Sequence, residues 1–473
     1  MGTVRFFRHS TRLFRYHVPT EFILLAIIEF LVLMFSLYLA LELRFLGNGW
    51  MRDFGAFFPK AFLYAAVMQL SLLAFGVYQR QAGRFVQALM LRIAIGLLLG
   101  LIPLGMSFYF APMMFLGRGV IALTVLLSFI FISVIRLSFR RMADARNMWP
   151  RILILGSGEK AKLVRDAEKD GSLRGLNVID YVSLRGDKDS GLEDEGISLE
   201  KSLAQYVEEK DIDEIVLAMD DRRSTEIPDG DLLECKMSGV DILDLVTFFE
   251  RRTGKIRLDI MNPSWLYLSD GFYESAFRSL GKRVFDIAIV LLLLPLALPL
   301  MLLVMLAITI ESHGRGSMLY SQTRVKQDGE PFQIYKFRSM VSDAEKDGVA
   351  RWASKNDSRI TRVGSVLRKG RLDELPQLFN VFKGDMSFVG PRPERPEFVK
   401  QLAEKIPYYE ERHRVKPGLT GWAQISYSYG DTENDSLEKL QYDLYYVKNY
   451  SIFIDLLILL KTVEVVMLSK GAQ

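Results

Sequence analysis

Four long apolar stretches occupy the chain before residue 136, at about 22–43, 61–78, 91–110 and 119–135, and a fifth runs from Ile287 to Ile308. Each approaches the ~17–25 residues that a helix needs to cross a hydrocarbon core. Half of the 473 residues are hydrophobic, so membrane segments have to be placed before any soluble fold is considered. The first stretch follows Arg5, Arg8, Arg12 and Arg15 and is too long for a cleaved signal peptide. Arg80 and Arg84 lie in the second loop, and Arg136, Arg140, Arg141 and Arg146 close the fourth stretch, whereas the first and third loops carry fewer cations. The positive-inside rule then puts the N-terminus, the second loop and everything after residue 136 on the cytoplasmic side. Glu29 and Arg92, at membrane depth or its edge, read as packing or snorkelling groups rather than a transport path.

The remaining length calls for one or two further folding units. Cys235 stands alone, so no intramolecular disulfide forms and a reducing compartment fits. The four histidines show no paired spacing, which argues against zinc. A net charge of +4 is too small for a nucleic-acid binder, and none is expected as a partner.

The segment RILILGSGEKAKLV, residues 151–164, reads as a buried strand, a glycine turn at Gly156 and Gly158, and a helix. VIDYVS, IDEIVLAM and VDILDLV supply further strands between helical stretches, which predicts a Rossmann-like α/β domain over about 146–265. Its glycine turn could hold a nucleotide phosphate at a helix N-terminus. The third position of the dinucleotide fingerprint is Ala161, however, and the nearest acid, Asp180, falls inside a predicted strand. A regulatory or structural module is the preferred reading. Membrane-bound nucleotide-sugar 4,6-dehydratases combine four spans with such a domain, but they need a complete fingerprint, and that reading is set aside.

In the fifth stretch, Pro295 and Pro299 each remove a backbone donor and clash with the preceding turn. Lys282 and Arg283 precede it and His313 and Arg315 follow. A helix broken at the prolines over 284–310, entering and leaving on one face, satisfies both the kink and the charges. The tail after Tyr450 is apolar with Asp455, Lys461 and Glu464 spaced along it, which predicts an interfacial helix.

Charged chemistry concentrates in RKGRLDELPQLFNVFKGDMSFVGPRPERPEF, residues 368–398. Pro376 is tolerated only in a first turn, so a helix is expected to start near Asp373. Two readings of the adjacent Asp373 and Glu374 stand. They are capping acids, or one carboxylate attacks phosphorus while its neighbour holds a divalent cation. The cations nearby favour phosphate: Lys336 and Arg338 on one face of YKFRSM, Arg368 before the pair, and Arg392 fixed between two prolines. Helix N-terminus and guanidiniums are expected to keep the attacking carboxylate ionised.

KRVFD with the proline-bearing helix, YKFRSM, RLDELPQLFNVFKGDMSFVGPRP, VKPGLTGWAQI and YDLYYVKNYS together resemble the monotopic phosphoglycosyl transferases, over Lys282 to about Val466. The four spans and the α/β domain look like that family's large, exopolysaccharide-priming members. The resemblance implies a bacterial, multi-pass inner-membrane enzyme with its catalytic domain on the cytoplasmic face. It implies transfer of a sugar 1-phosphate from a UDP-sugar to undecaprenyl (polyprenyl) phosphate, with UMP released. It puts the nucleophile on Asp373, a Mg2+-binding role on Glu374, and substrate contacts on Arg368 and Arg392. The organisation expected is a four-helix transmembrane bundle (1–145), the α/β domain (146–265), and an α/β catalytic domain with re-entrant and interfacial helices (280–473), with a homodimer as one possible assembly. The rival is a non-catalytic membrane scaffold, which leaves the acid pair and Arg392 without a use. Trp422, in GLTGWAQISYSYG, is read evenly as a ligand contact or a core residue.

Overall fold

A computed structural model describes residues 10–467 except 14–15, 46–56, 76, 79–85, 144–148, 174–175, 188–195, 200, 222–224, 270, 273–275, 342–358, 428–429 and 431. Arg5, Arg8, Arg15, Arg80, Arg84 and Arg146, on which much of the charge asymmetry rests, lie outside the described residues. The chain divides into two compact units, Met1–Thr253 and Gly254–Gln473.

The first unit opens with a short antiparallel hairpin, β1 (Ser10–Leu13) and β2 (Tyr16–Pro19), that the sequence did not announce. Four apolar helices follow: α1 (Thr20–Phe45), α2 (Phe57–Ala74), α3 (Val86–Phe110) and α4 (Arg118–Ala143). All are long and apolar enough to cross a membrane. They bury Leu37, Tyr64, Met68, Ile93, Leu97 and Ile132 in one shared core. Glu29 is wholly buried there and paired: Arg136 Nη2 donates to Glu29 Oε2 at 2.9 Å, and its Nη1 donates to the Val77 carbonyl at 2.7 Å. The packing role expected of Glu29 is therefore a bidentate ion pair that ties α1 to α4.

The expected strands appear as β3 (Arg151–Leu155), β4 (Asn177–Val182), β6 (Glu214–Leu217) and β7 (Asp241–Asp244), with a two-residue β5 (Gly196–Ile197) at one edge. They form one parallel sheet in the order β5-β4-β3-β6-β7. Helices α5 (Glu159–Lys169), α6 (Leu203–Glu209), α7 (Asp229–Met237) and α8 (Leu245–Thr253) connect or follow the strands. This is the strand order of a doubly wound fold, with its reversal point between β3 and β6. Parallel strands are buried on both faces, which is why RILIL and EIVL read as continuous apolar runs.

In the second unit α9 (Pro263–Leu268) precedes α10 (Ala276–Glu311), a single α-helix that passes through both Pro295 and Pro299. The expected division into two helices at the prolines is thus not present in the secondary structure. Val290, Ala297, Met301, Val304 and Ile308 make a buried stripe, while Leu292, Leu296, Leu302, Leu303 and Ile310 face outward. A hairpin of β8 (Leu319–Val325) and β9 (Pro331–Phe337) follows. Then come α11 (Arg362–Lys369), a 3-10 turn (Leu372–Glu374), α12 (Gln377–Lys383), β10 (Ser387–Val389), α13 (Pro396–Lys405), β11 (Gly418–Thr420), α14 (Trp422–Ser426), α15 (Glu433–Asn449) and α16 (Ile452–Met467). Strands β10 and β11 pair in parallel. Thr361 caps α11, and Thr432 with Asp435 forms a capping box on α15. Such caps contribute about 1 kcal/mol each.

Helix α16 buries part of its polar set against protein. Asp455 is fully buried and accepts from Lys282 Nζ at 2.6 Å, Lys461 lies over the Trp422 ring, and Ile452, Leu456 and Val463 are the exposed positions. Asp455 and Lys461 thus face protein together with the fully buried Ile454 and Ile458, while Ile452, Leu456 and Val463 face outward.

Candidate active site

The acid pair does not sit at the start of a continuous helix. Asp373 and Glu374 occupy the 3-10 turn, and α12 begins three residues later, after Pro376. Arg371, just before them, adopts a left-handed φ of +52°. A non-glycine residue held there stores of order 1 kcal/mol of backbone strain, which the packed surroundings must maintain. Both acids are only 8% exposed.

Lys336 arrives from β9. Asn380 on α12 fixes that strand by accepting from Tyr335 N at 3.1 Å and donating to the Gln333 carbonyl at 2.7 Å. Lys336 Nζ then donates to Glu374 Oε1 at 3.3 Å, and Arg392 Nη2 donates to the same oxygen at 3.0 Å. Glu374 Oε2 has Arg371 Nη1 at 3.9 Å. Arg368 donates through Nε to Ser339 Oγ at 3.1 Å, close enough to Asp373 to act on its charge. Strand alternation had put Arg338 beside Lys336. Strand β9 ends at Phe337, however, and Arg338 Nη1 donates instead to the Arg315 carbonyl at 3.1 Å. Among the described residues it pairs with neither acid.

The two carboxyls differ in protonation preference. Burial pushes Glu374 up, but Arg392, Lys336 and Arg371 outweigh it and hold the group well below the usual carboxylate range. Asp373 moves the other way. Burial raises it and the Glu374 charge adds to the rise, with Lys336, Arg368 and Arg392 opposing. Burial also pushes the Lys336 ammonium down. Neighbouring cations thus win over burial at Glu374, whereas at Asp373 burial and the Glu374 charge win.

The turn that carries Arg392 is clamped at every carbonyl from 391 to 394. Pro391 O accepts from Gly418 N at 2.9 Å, and Arg392 O from Arg412 Nη2 at 3.0 Å. Pro393 O accepts from Arg324 Nη1 at 3.2 Å, and Glu394 O from Val325 N at 3.0 Å. Arg412 is itself buried, donating to Asp443 Oδ2 at 2.7 Å and, through Nη1, to Tyr409 Oη at 2.9 Å. Gly390 has no alternative: a Cβ there would lie 2.2 Å from the Lys416 carbonyl.

The bacterial sugar transferase model matches residues 277–469, and a CoA-binding domain model matches residues 73–243. A UDP-galactose-lipid carrier transferase of Erwinia amylovora is 31% identical over 390 residues, 76% of each chain. The chain belongs to the bacterial sugar transferase family. A UDP-N-acetylgalactosamine-undecaprenyl-phosphate N-acetylgalactosaminephosphotransferase of Aeromonas hydrophila is 40% identical over 242 residues, 51% of this chain and 56% of that protein. A UDP-glucose:undecaprenyl-phosphate glucose-1-phosphate transferase of Escherichia coli (strain K12) is 42% identical over 202 residues, 42% of each chain. The chain therefore spans about half the length, or less, of these last two relatives. Asp373, Glu374, Lys336, Arg368 and Arg392 all lie inside the sugar transferase match.

Other residues of this site had no visible role in the sequence. Lys282 and Asp286, at the root of α10, serve a tie rather than a substrate. Asp286 Oδ1 accepts from Ser387 Oγ at 2.9 Å and Phe388 N at 3.0 Å, on the strand that leads into the Arg392 turn. Tyr446 Oη lies 3.0 Å from Lys282 Nζ, 2.7 Å from Asp455 Oδ1 and 3.0 Å from the Val389 carbonyl. Trp422 resolves as a core residue: it stacks on Tyr445 at 5.7 Å and donates through Nε1 to the Gly254 carbonyl at 2.7 Å. Tyr206 and Lys210 stand at the Tyr-x-x-x-Lys spacing that a dehydratase uses. Tyr206 donates to Asp180, and the Lys210 carbonyl accepts from Arg151 Nε at 2.8 Å, at the amino end of β3. Ligands of such sheets bind at the carboxyl ends, so the pair is misplaced for that chemistry.

Proposed function

We propose that this chain moves a sugar 1-phosphate from a UDP-sugar to a polyprenyl phosphate and releases UMP, as a first membrane step of surface-glycan assembly. One observation carries the reading. A buried acid pair with opposed protonation preferences, ringed by Lys336, Arg368 and Arg392, lies within the sugar transferase match. Asp373 attacks the β-phosphorus of the UDP-sugar. The bond to the UMP oxygen breaks, and the sugar phosphate is left as an acyl-phosphate on Asp373. A phosphate oxygen of the polyprenyl phosphate then attacks that phosphorus, forming the diphosphate-linked lipid and regenerating the carboxylate. Arg392, Lys336 and Arg368 stabilise the charge that passes to UMP.

The donor set suits Mg2+ of the kind held largely by substrate and water. Among the described residues no three ligating side chains cluster, and Glu374 Oε1 is occupied by Lys336 and Arg392, so an ion would take Oε2, with Arg371 Nη1 3.9 Å from it. When bound there, the ion would neutralise diphosphate oxygens. Less charge near Glu374 would also ease ionisation of Asp373, whose carboxyl is pushed up first by burial and then by the Glu374 charge.

The membrane seat proposed for this unit draws on α10. Two turns into this helix, Arg283 contacts α12 by donating to the Val381 and Phe382 carbonyls at 2.6 Å each. At its other end Glu311 Oε1 accepts from Val363 N on α11 at 2.9 Å. Both contacts lie in one compact unit, which supports a continuous helix bent at Pro295 and Pro299 that returns to the same, cytoplasmic face rather than crossing. Exposed Val366, Phe379 and Phe382 on α11 and α12 suit a seat at the bilayer surface, where donor and lipid acceptor meet.

The test is incubation of the purified protein with Mg2+ and a panel of UDP-sugars without acceptor, followed by intact and peptide mass analysis. A sugar-phosphate adduct on the peptide holding Asp373, absent in Asp373→Asn, is expected and names the sugar. UMP released on adding polyprenyl phosphate without any adduct would replace the covalent route by direct transfer. Neither adduct nor UMP would return the protein to a scaffold role.

A further inference from the structure

A doubly wound sheet takes its ligand at the carboxyl ends of the strands where their order reverses, here β3 and β6. The CoA-binding domain match over residues 73–243 carries the same implication. The residues at that crevice do not fit a phosphate.

Gly156 adopts φ +130°, and a Cβ on it would lie 2.6 Å from the Ala218 carbonyl oxygen and 3.0 Å from Met219 N. The glycine makes room for the chain's own β6 loop, where a nucleotide fingerprint would make room for pyrophosphate. The amides at the start of α5 are likewise engaged. Glu159 N donates to Asp220 Oδ2 and Lys160 N to Asp220 Oδ1, both at 2.9 Å. Ser157 N donates to Asp187 Oδ2 at 3.2 Å, and Asp187 Oδ1 accepts from Asp220 N at 3.2 Å. The Lys160 ammonium donates to the carbonyls of Met219 at 3.1 Å and Asp220 at 3.0 Å. A helix N-terminus attracts negative charge, and here two carboxylates already supply it. An incoming diphosphate would have to displace Asp220 and meet the like charge of both acids.

We propose that Asp220 and Asp187 are built-in anions that close this crevice, so that the α/β domain takes neither CoA nor a nucleotide and acts as a stapled structural unit. The claim is independent of the transferase reading. It is tested on the full chain in detergent, with CoA, NAD+ and ADP as probes and hydrogen exchange of residues 156–162 as a readout confined to the turn. The wild type shows no saturable binding at millimolar probe that protects this segment. Asp220→Ala raises exchange there by about tenfold or more, and inorganic phosphate restores protection saturably by taking the vacated place. Should that variant fail to accumulate, Asp220→Asn is read the same way, since it keeps an acceptor oxygen and loses the charge. Saturable protection of wild-type residues 156–162 by CoA or ADP overturns the proposal. So does a variant that exchanges like the wild type, or one that phosphate leaves unprotected.

Discussion

Replacing Arg412 by lysine tests whether the Arg392 turn is aimed by its clamp. The guanidinium serves three acceptors at once: Asp443 Oδ2 at 2.7 Å, Tyr409 Oη at 2.9 Å and the Arg392 carbonyl at 3.0 Å. A lysine keeps the charge beside Asp443 but, as a compact point donor, cannot fork across all three. The partly buried Arg392 carbonyl then loses its donor, at a cost of up to ~1–3 kcal/mol that the turn recovers only by shifting. A shifted Arg392 loses its 3.0 Å contact with Glu374, a charge-assisted bond worth ~1.5–3 kcal/mol. Expressed at the transition state, that loss is about 10- to 100-fold in turnover. The assay is the initial rate of UMP release from UDP-sugar and polyprenyl phosphate, run for Arg412→Lys, Arg392→Ala and the double variant, each with a melting curve. Because Arg412 is argued to act through Arg392, its substitution adds less than ~0.5 kcal/mol in the Arg392→Ala background. Losses that multiply in the double variant would refute the clamp and leave Arg412 a fold residue only.

Three further outcomes are expected. Lys282→Met strands Asp455, which is fully buried, and lowers stability by ~3–5 kcal/mol on thermal unfolding in detergent, whereas Lys282→Met with Asp455→Leu recovers most of it. Burial and the neighbouring Arg412 hold His413 down to about 3, so below its ordinary value the unfolded chain takes up a proton that the folded chain does not. Stability then falls as pH drops from about 6.5 towards 3, by at most ~1.4 kcal/mol per unit, and His413→Gln flattens that part of the pH–melting curve. Gly390→Ala forces a Cβ into the Lys416 carbonyl and lowers UMP release more than it lowers the melting temperature.

Much of the site was legible because its chemistry is written locally. An acid pair, a proline-fixed arginine and a lysine on an alternating strand each show in a few consecutive residues. Arg338 misled because alternation holds only while a strand lasts, and β9 ends one residue before it. The Arg412–Asp443 pair was invisible: its members stand 31 positions apart on different elements and meet only through packing. The upward push on Asp373 was not legible, because burial and the neighbouring charge are three-dimensional quantities that a list of nearby cations does not contain. The strands of the α/β domain were readable from their apolar runs, yet the closure of its crevice was not, since Asp187 and Asp220 come from two distant loops. The tail was read as amphipathic, with water assumed on its polar side. That assumption fails wherever the neighbour is lipid.

The inward-facing Asp455 has one more consequence. Through Tyr446 and Lys282 it joins the apolar-faced α16 and the root of α10 to the last residue of β10, one step before the catalytic turn. In the proposed setting, the bilayer is the outer half of this unit's hydrophobic core. Seating in lipid and holding the Arg392 turn would then draw on the same buried hydrogen-bond network.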